Sequence, residues 1–134
     1  MGNLNGLEVL DLDRNSMGGT IPTELGKLTG LRRAYLSANK IGGTITPGVF
    51  DKMPDLELLR LEGNELSGPI PQDMGNWGRG KNAQANLKML RLSANDLTSS
   101  IPGTIGGLAS LRDLRLDENA LTGTIPPQIS NCLE

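Results

Sequence analysis

The chain has 134 residues and a formal net charge of −2, from 13 basic and 15 acidic side chains. That length can bury one sizeable core, and so even a balance of charge directs the chain to neither nucleic acid nor an anionic membrane surface. With no His, one Cys and no run of about 20 apolar residues, the sequence excludes a His-based triad, an internal disulfide and a membrane-spanning helix.

Only 37% of the residues are hydrophobic, with one Phe, one Trp and one Tyr, so aliphatic side chains must build the core. The 18 Gly and 8 Pro recur at fixed offsets, which marks ordered repetition rather than low complexity. In chain order, Met1-Gly2-Asn3-Leu4 aligns with Leu25-Gly26-Lys27-Leu28 and returns as Met74-Gly75-Asn76-Trp77. Residues 1–6 therefore read as the tail of a preceding repeat, and the chain as a segment of a longer array. Five copies follow, at 7–30, 31–55, 56–86, 87–110 and 111–134. Their register is set by Asn15, Asn39, Asn64, Asn95 and Asn119, spaced 24, 25, 31 and 24 residues apart.

Eight residues before each Asn stands Leu7, Leu31, Leu56, Leu87 or Leu111, and three before stands Leu12, Leu36, Leu61, Leu92 or Leu116. Leu10, Ala34, Leu59, Leu90 and Leu114 fill the position five before. Met17, Ile41, Leu66, Leu97 and Leu121 lie two after. The pattern is L-x-x-L-x-L-x-x-N-x-L in every copy. Its L-x-L pair directs two side chains to one face of a short strand, and stacked copies make one continuous parallel sheet and core. The Asn amide has both donors and acceptor to satisfy backbone groups where the chain leaves the strand.

The spacing of 31 contains an insertion, residues 78–84, which falls between Trp77 and the next strand, at a rim. It reads as a tolerated polar loop with a minor prospect of ligand contact. Trp77 occupies a Leu column and Cys132 the column of Leu28, Met53, Trp77 and Leu108, so both belong to the core.

These motifs resemble leucine-rich repeats, and specifically the plant-type class. Gly19-Thr20-Ile21-Pro22, Gly68-Pro69-Ile70-Pro71 and Gly123-Thr124-Ile125-Pro126 match that class's G-x-I-P segment. Ser99-Ser100-Ile101-Pro102 departs at the Gly, and Gly43-Thr44-Ile45-Thr46 at the Pro. The resemblance covers the whole chain. It implies an α/β solenoid: a right-handed superhelix with a concave parallel sheet, a second short strand at G-x-I-P and short helical turns on the convex side.

The outward positions of each strand line the concave face. The fifth position of the motif reads Asp11, Tyr35, Arg60, Arg91, Arg115; the third, Val9, Arg33, Leu58, Met89, Asp113; the seventh, Asp13, Ser37, Glu62, Ser93, Asp117. Strands about 4.8 Å apart stack three Arg in one column, which costs stability unless acids or a ligand compensate. Glu62, Asp113 and Asp117 are the candidate compensators. Tyr35, Leu58, Arg60, Met89, Arg91 and Arg115 are the candidate ligand residues, and Arg91 is expected to be the free cation because Ser93 is its neighbour in the strand. Asp11 and Asp13 share a strand face, but that spacing follows from any solvated strand, and no catalytic or metal residue is assigned.

The sequence thus predicts a non-catalytic, cofactor-free recognition surface for a protein or peptide carrying an acidic group, without contact to nucleic acid or membrane. Resemblance to receptor ectodomains makes a segment of a larger receptor-like protein the first reading. Others are a secreted inhibitor resembling the polygalacturonase-inhibiting proteins and an intracellular adaptor. No Asn is followed two residues on by Ser or Thr, so no glycosylation acceptor favours the secreted readings. Leu4, Leu7, Ile125, Ile129 and Leu133 are expected to expose core columns at the two ends and to promote self-association or fraying.

Overall fold

In a computed structural model of the chain, which describes residues 6–132, each L-x-L pair lies on a three-residue strand. These strands are β1 (Val9–Asp11), β3 (Arg33–Tyr35), β5 (Leu58–Arg60), β7 (Met89–Arg91) and β9 (Asp113–Arg115). They pair in parallel in the order β1-β3-β5-β7-β9, and the register joins like motif positions: Leu10 to Ala34 to Leu59 to Leu90 to Leu114. Four further strands, β2 (Gly18–Thr20), β4 (Lys40–Thr44), β6 (Glu65–Pro69) and β8 (Asp96–Thr98), form a second parallel sheet. This second sheet starts upstream of the G-x-I-P segment, where the chain leaves the Asn. Short 3-10 helices at Thr23–Lys27, Phe50–Lys52, Gln72–Asn76, Gly103–Gly107 and Pro127–Cys132 complete the turns.

The core lies between these layers. Leu31, Leu56 and Leu87, with Ala34, Leu59 and Leu90 beside them, are fully enclosed. Trp77 is buried and meets Phe50 edge to face with centroids 5.2 Å apart, a favourable arrangement for two quadrupolar rings. Cys132 is also buried, its Sγ 3.1 Å from the Ile105 carbonyl oxygen, and burial raises its thiol pKa. At the ends, Ile125 is 73% exposed while Leu7 and Ile129 are half-buried; Leu4 and Leu133 lie outside the described residues.

The Asn column links every repeat to the one before it. Asn64 Nδ2 donates to the carbonyls of Leu36 and Leu61, each at 3.0 Å, and its Oδ1 accepts the Ile41 N–H at 3.0 Å. Asn39, Asn95 and Asn119 repeat the pattern on Leu12, Leu61 and Leu92 of the preceding copy, and accept from the N–H of Met17, Leu66 and Leu97. Asn15 bonds only within its own turn among the described residues, and it is exposed. The ladder therefore satisfies backbone donors and acceptors that neither sheet can reach.

One left-handed residue stands in the same column of every repeat. Gly19, Gly43, Gly68 and Gly123 hold φ between 72° and 83°, while Ser99 fills the same column with φ 66°. A side chain there costs roughly 1–2 kcal/mol. Ser99→Gly should remove that strain, offset in part by greater freedom of the unfolded chain, for a net gain of about 0.5–1 kcal/mol. The melting temperature should rise by about 2–4 °C; an unchanged or lower value would mean that the Ser99 hydroxyl stabilises the turn.

Candidate functional site

The concave sheet sets six candidate residues into two rows. Tyr35, Arg60, Arg91 and Arg115 face one another across β3, β5, β7 and β9, and Leu58 pairs with Met89 in the adjoining row. Leu58 and Met89 are half-buried, and Val9, in the same row, is an exposed apolar side chain. The Leu58–Met89 pair is flanked in its row by Arg33 on β3 and Asp113 on β9, and the Arg row ends in Asp11 on β1.

Two charge clusters divide this surface. Toward the first repeats, Arg60 donates from Nε to Glu62 Oε1 at 2.7 Å and pairs with Asp13 at 3.3 Å. Its guanidinium also lies 5.9 Å from the centroid of the Tyr35 ring, within range for a cation–π contact. The Glu62 hydrogen bond raises the pKa of Arg60 further, so this cluster holds one cation between two acids. The alternation sets Ser37 outward, yet it is closed to solvent. Its N–H donates to Asp13 Oδ1 at 2.6 Å.

Toward the last repeats the proportion is reversed. Arg91 forks onto Asp113 Oδ2, at 2.6 Å from Nη2 and 3.0 Å from Nε. The expectation that Arg91 is a free cation is therefore wrong. Met89 pairs with Asp113 and Arg91 with Arg115, so Asp113 stands diagonally across from Arg91, within reach of a long side chain. Arg115 touches the same carboxylate through Nε at 3.4 Å only. Asp117, a candidate partner for Arg115, accepts the Ser93 hydroxyl instead. The Arg91 hydrogen bond holds the Asp113 carboxyl below the usual carboxylate range. One acid thus serves two guanidiniums, and the Arg115 side chain stays 59% exposed against 24% for Arg91 and 29% for Arg60.

Asp13 and Ser37 are contributors that the strand-by-strand reading missed. A signal was present, since acids and serines alternate down the seventh position: Asp13, Ser37, Glu62, Ser93, Asp117. At the rim, the second motif position forms a charge ladder of its own. Glu57 pairs with both Arg32 and Lys88, and the Arg32 hydrogen bond lowers its pKa. Beside it, the insertion closes as a small hairpin through the Arg79–Ala85 bridge and flanks a polar groove lined by Asp55, Lys81, Asn82, Gln84 and Asn86.

Among the described residues no helix is long and apolar enough to cross a membrane. No group of three or more His, Cys, Asp or Glu side chains among them is placed to hold a metal ion.

Several plant receptors of solved structure share this architecture. A plant peptide hormone receptor, RGFR1, in complex with RGF2, superposes with a TM-score of 0.86 at 34% identity over 96% of this chain and 19% of that one. The Arabidopsis receptor kinase HAESA, in complex with the peptide hormone IDA and the co-receptor SERK1, gives 0.86 at 29% identity over 96% and 21%. The BIR3–SERK2 complex from Arabidopsis thaliana gives 0.81 at 35% identity over 90% and 61%. The chain thus spans about a fifth of the first two. No curated protein matches the sequence at a significant level. The Leucine Rich Repeat family model matches residues 6–28, 55–77, 86–108 and 110–132, leaving out the second copy, which lacks the Pro of G-x-I-P, and the insertion. The five in-register strands, the Asn ladder and these four matches make the chain a member of the leucine-rich repeat family.

Proposed function

We propose that this chain is a non-catalytic recognition segment of a larger receptor-like protein, and that it binds an extended peptide or protein segment across its concave face. The observation that carries this reading is the Arg91–Asp113–Arg115 cluster. One carboxylate bonds both guanidiniums, and the Arg115 fork stays open to solvent because the neighbouring Asp117 is hydrogen-bonded to Ser93. Such a fork suits a ligand carboxylate, which it binds through paired, charge-assisted hydrogen bonds.

The remaining rows give the ligand a direction. Asp11 ends the Arg row on the opposite side of the sheet, and Leu58 and Met89 supply a short apolar track beside it, bounded by Arg33 on the next strand. A ligand with an acidic end over Arg115 and apolar side chains on the track fits both features. Arg91, already held by Asp113, keeps Arg115 and Asp113 in position and presents little free charge. RGFR1 and HAESA, whose folds match this one, are peptide hormone receptors, which supports a peptide as the ligand class.

Panning a random peptide library on the immobilised chain tests this. The selected peptides should be enriched in acidic residues, and Arg115→Glu should weaken them by about 2 kcal/mol, roughly thirtyfold. Arg79→Glu, on the rim hairpin, should leave affinity near the wild-type value. Peptides that bind Arg115→Glu as well as the unaltered chain, but lose affinity on the rim substitution, would move the site off the concave face.

A further inference from the structure

Arg33, Arg60, Arg91 and Arg115 are the arginines of the concave strands. Three of them have acids in reach. Arg60 lies between Glu62 and Asp13, Arg91 forks onto Asp113, and Arg115 touches that same carboxylate through one nitrogen. Arg33 has none. It is exposed, and its side chain makes no salt bridge or hydrogen bond among the described residues.

Its place in the sheet explains this. Arg33 stands between Val9 and Leu58 in its row, and neither can accept from a guanidinium. Asp11, diagonally across, lies opposite Tyr35 and takes the Asp13 N–H instead. Strands β3, β5 and β7 each have a described strand on either side. Further repeats would therefore lengthen the sheet and leave Arg33, Leu58 and Met89 open on its concave face.

From Arg33 the row runs over the half-buried Leu58 and Met89 to Asp113. Asp113, an acid held by Arg91, closes that row to a second carboxylate. The next available cation is Arg115, two residues on in the same strand. Arg33 and Arg115 are thus three strand intervals and two residues apart, about 14 Å across the sheet and about 7 Å along it. Their backbones lie about 16 Å apart by that geometry, and side chains converge over a concave face, so their tips are nearer. An extended peptide rises about 3.3 Å per residue and repeats its facing every second residue. Its residues i and i+4 sit about 13 Å apart on one face, with i+2 midway between them. Residues i+3 and i+5 face the other way.

We propose that Arg33 is a second anchor for the ligand, so that the concave face takes two carboxylates four residues apart with an apolar side chain midway. One carboxylate lies on Arg33, the apolar residue on Leu58 and Met89, and the other carboxylate on Arg115. Each guanidinium offers paired donors to its carboxylate. This rests on the concave-face reading above and adds a spacing to it.

Isothermal titration with blocked heptapeptides, whose ends carry no charge, tests the spacing. The first has Glu at positions two and six, Leu at four and Ser elsewhere. Moving its second Glu to position five, or replacing that Glu by Gln, should weaken binding roughly tenfold. On Arg33→Glu the two-Glu peptide should bind no better than its one-Glu counterpart. The urea midpoint of that variant should not move, because the Arg33 side chain has no partner in the fold. If the second Glu keeps its advantage on Arg33→Glu, or the two spacings bind equally, the second anchor is overturned while Arg115 stands. Binding indifferent to Arg115→Glu, or no binding by any of these peptides, would overturn the concave-face reading together with it.

Discussion

Replacing Asn64 by Leu should destabilise the chain by about 3 kcal/mol, read as a lower urea midpoint at unchanged slope. The Ile41 N–H loses its partner, Asn64 Oδ1, inside a region that is closed to solvent, and an orphaned buried donor costs roughly 1–3 kcal/mol. The two carbonyls fare better. Leu36 keeps a bond from Asn39, and Leu61 keeps one from Asn95, because each carbonyl has two lone pairs and the ladder uses both. Their lost second bonds, and an apolar side chain forced among polar groups, supply the rest. Asn15→Leu is the internal control. Asn15 is exposed and Leu12 retains its bond from Asn39, so this change should cost under about 1 kcal/mol. Equal costs at the two positions would show that the Asn acts through turn conformation and not through linkage between repeats.

The same contrast shows which features of the molecule can be read from its residues. The core columns were legible because a parallel, in-register sheet places like motif positions side by side, so spacing along the chain becomes adjacency in space. Leu59 lies between Ala34 and Leu90 for that reason alone. The candidate concave residues followed from the same alternation, and the structure sets Tyr35, Arg60, Arg91 and Arg115 in one row. Charge pairing did not follow, because Arg is long enough to choose among several acids. Arg91 leans diagonally to Asp113, one strand on, while Arg60 takes Glu62 in its own repeat and Asp13 two repeats back. Period-two alternation gives a side chain's face, but not its lean along the sheet. Ser37 is buried although the alternation sets it outward, and its backbone N–H donates to the Asp13 carboxylate.

The insertion offers the sharpest separation of a residue's role from its segment's role. Gly78→Ala should destabilise the chain by about 3 kcal/mol or more, whereas deleting residues 78–84 should change stability by less than about 1 kcal/mol. Gly78 is buried with φ 68°, and an added Cβ would run into the Leu56 carbonyl oxygen and come within 2.9 Å of the Leu87 nitrogen. Those are backbone atoms at the starts of two concave strands, so neither can yield without disturbing the sheet, and the left-handed φ adds its own strain. The hairpin beyond it is bonded mostly to itself. The Gly80 N–H donates to Gln84, the Ala83 N–H to Gly80 and the Asn86 N–H to Gly78. The residues that tie the segment to its neighbours survive the deletion: Asn86 Nδ2 donates to the Pro54 carbonyl, and the Ala85 carbonyl accepts the Ser110 hydroxyl. Trp77 would then reach Leu87 through Ala85 and Asn86, as Leu28 reaches Leu31 through Thr29 and Gly30. Chemical denaturation of both variants decides the matter. A deletion more damaging than the single methyl group would make the hairpin a packed element of the fold and not an ornament on its rim.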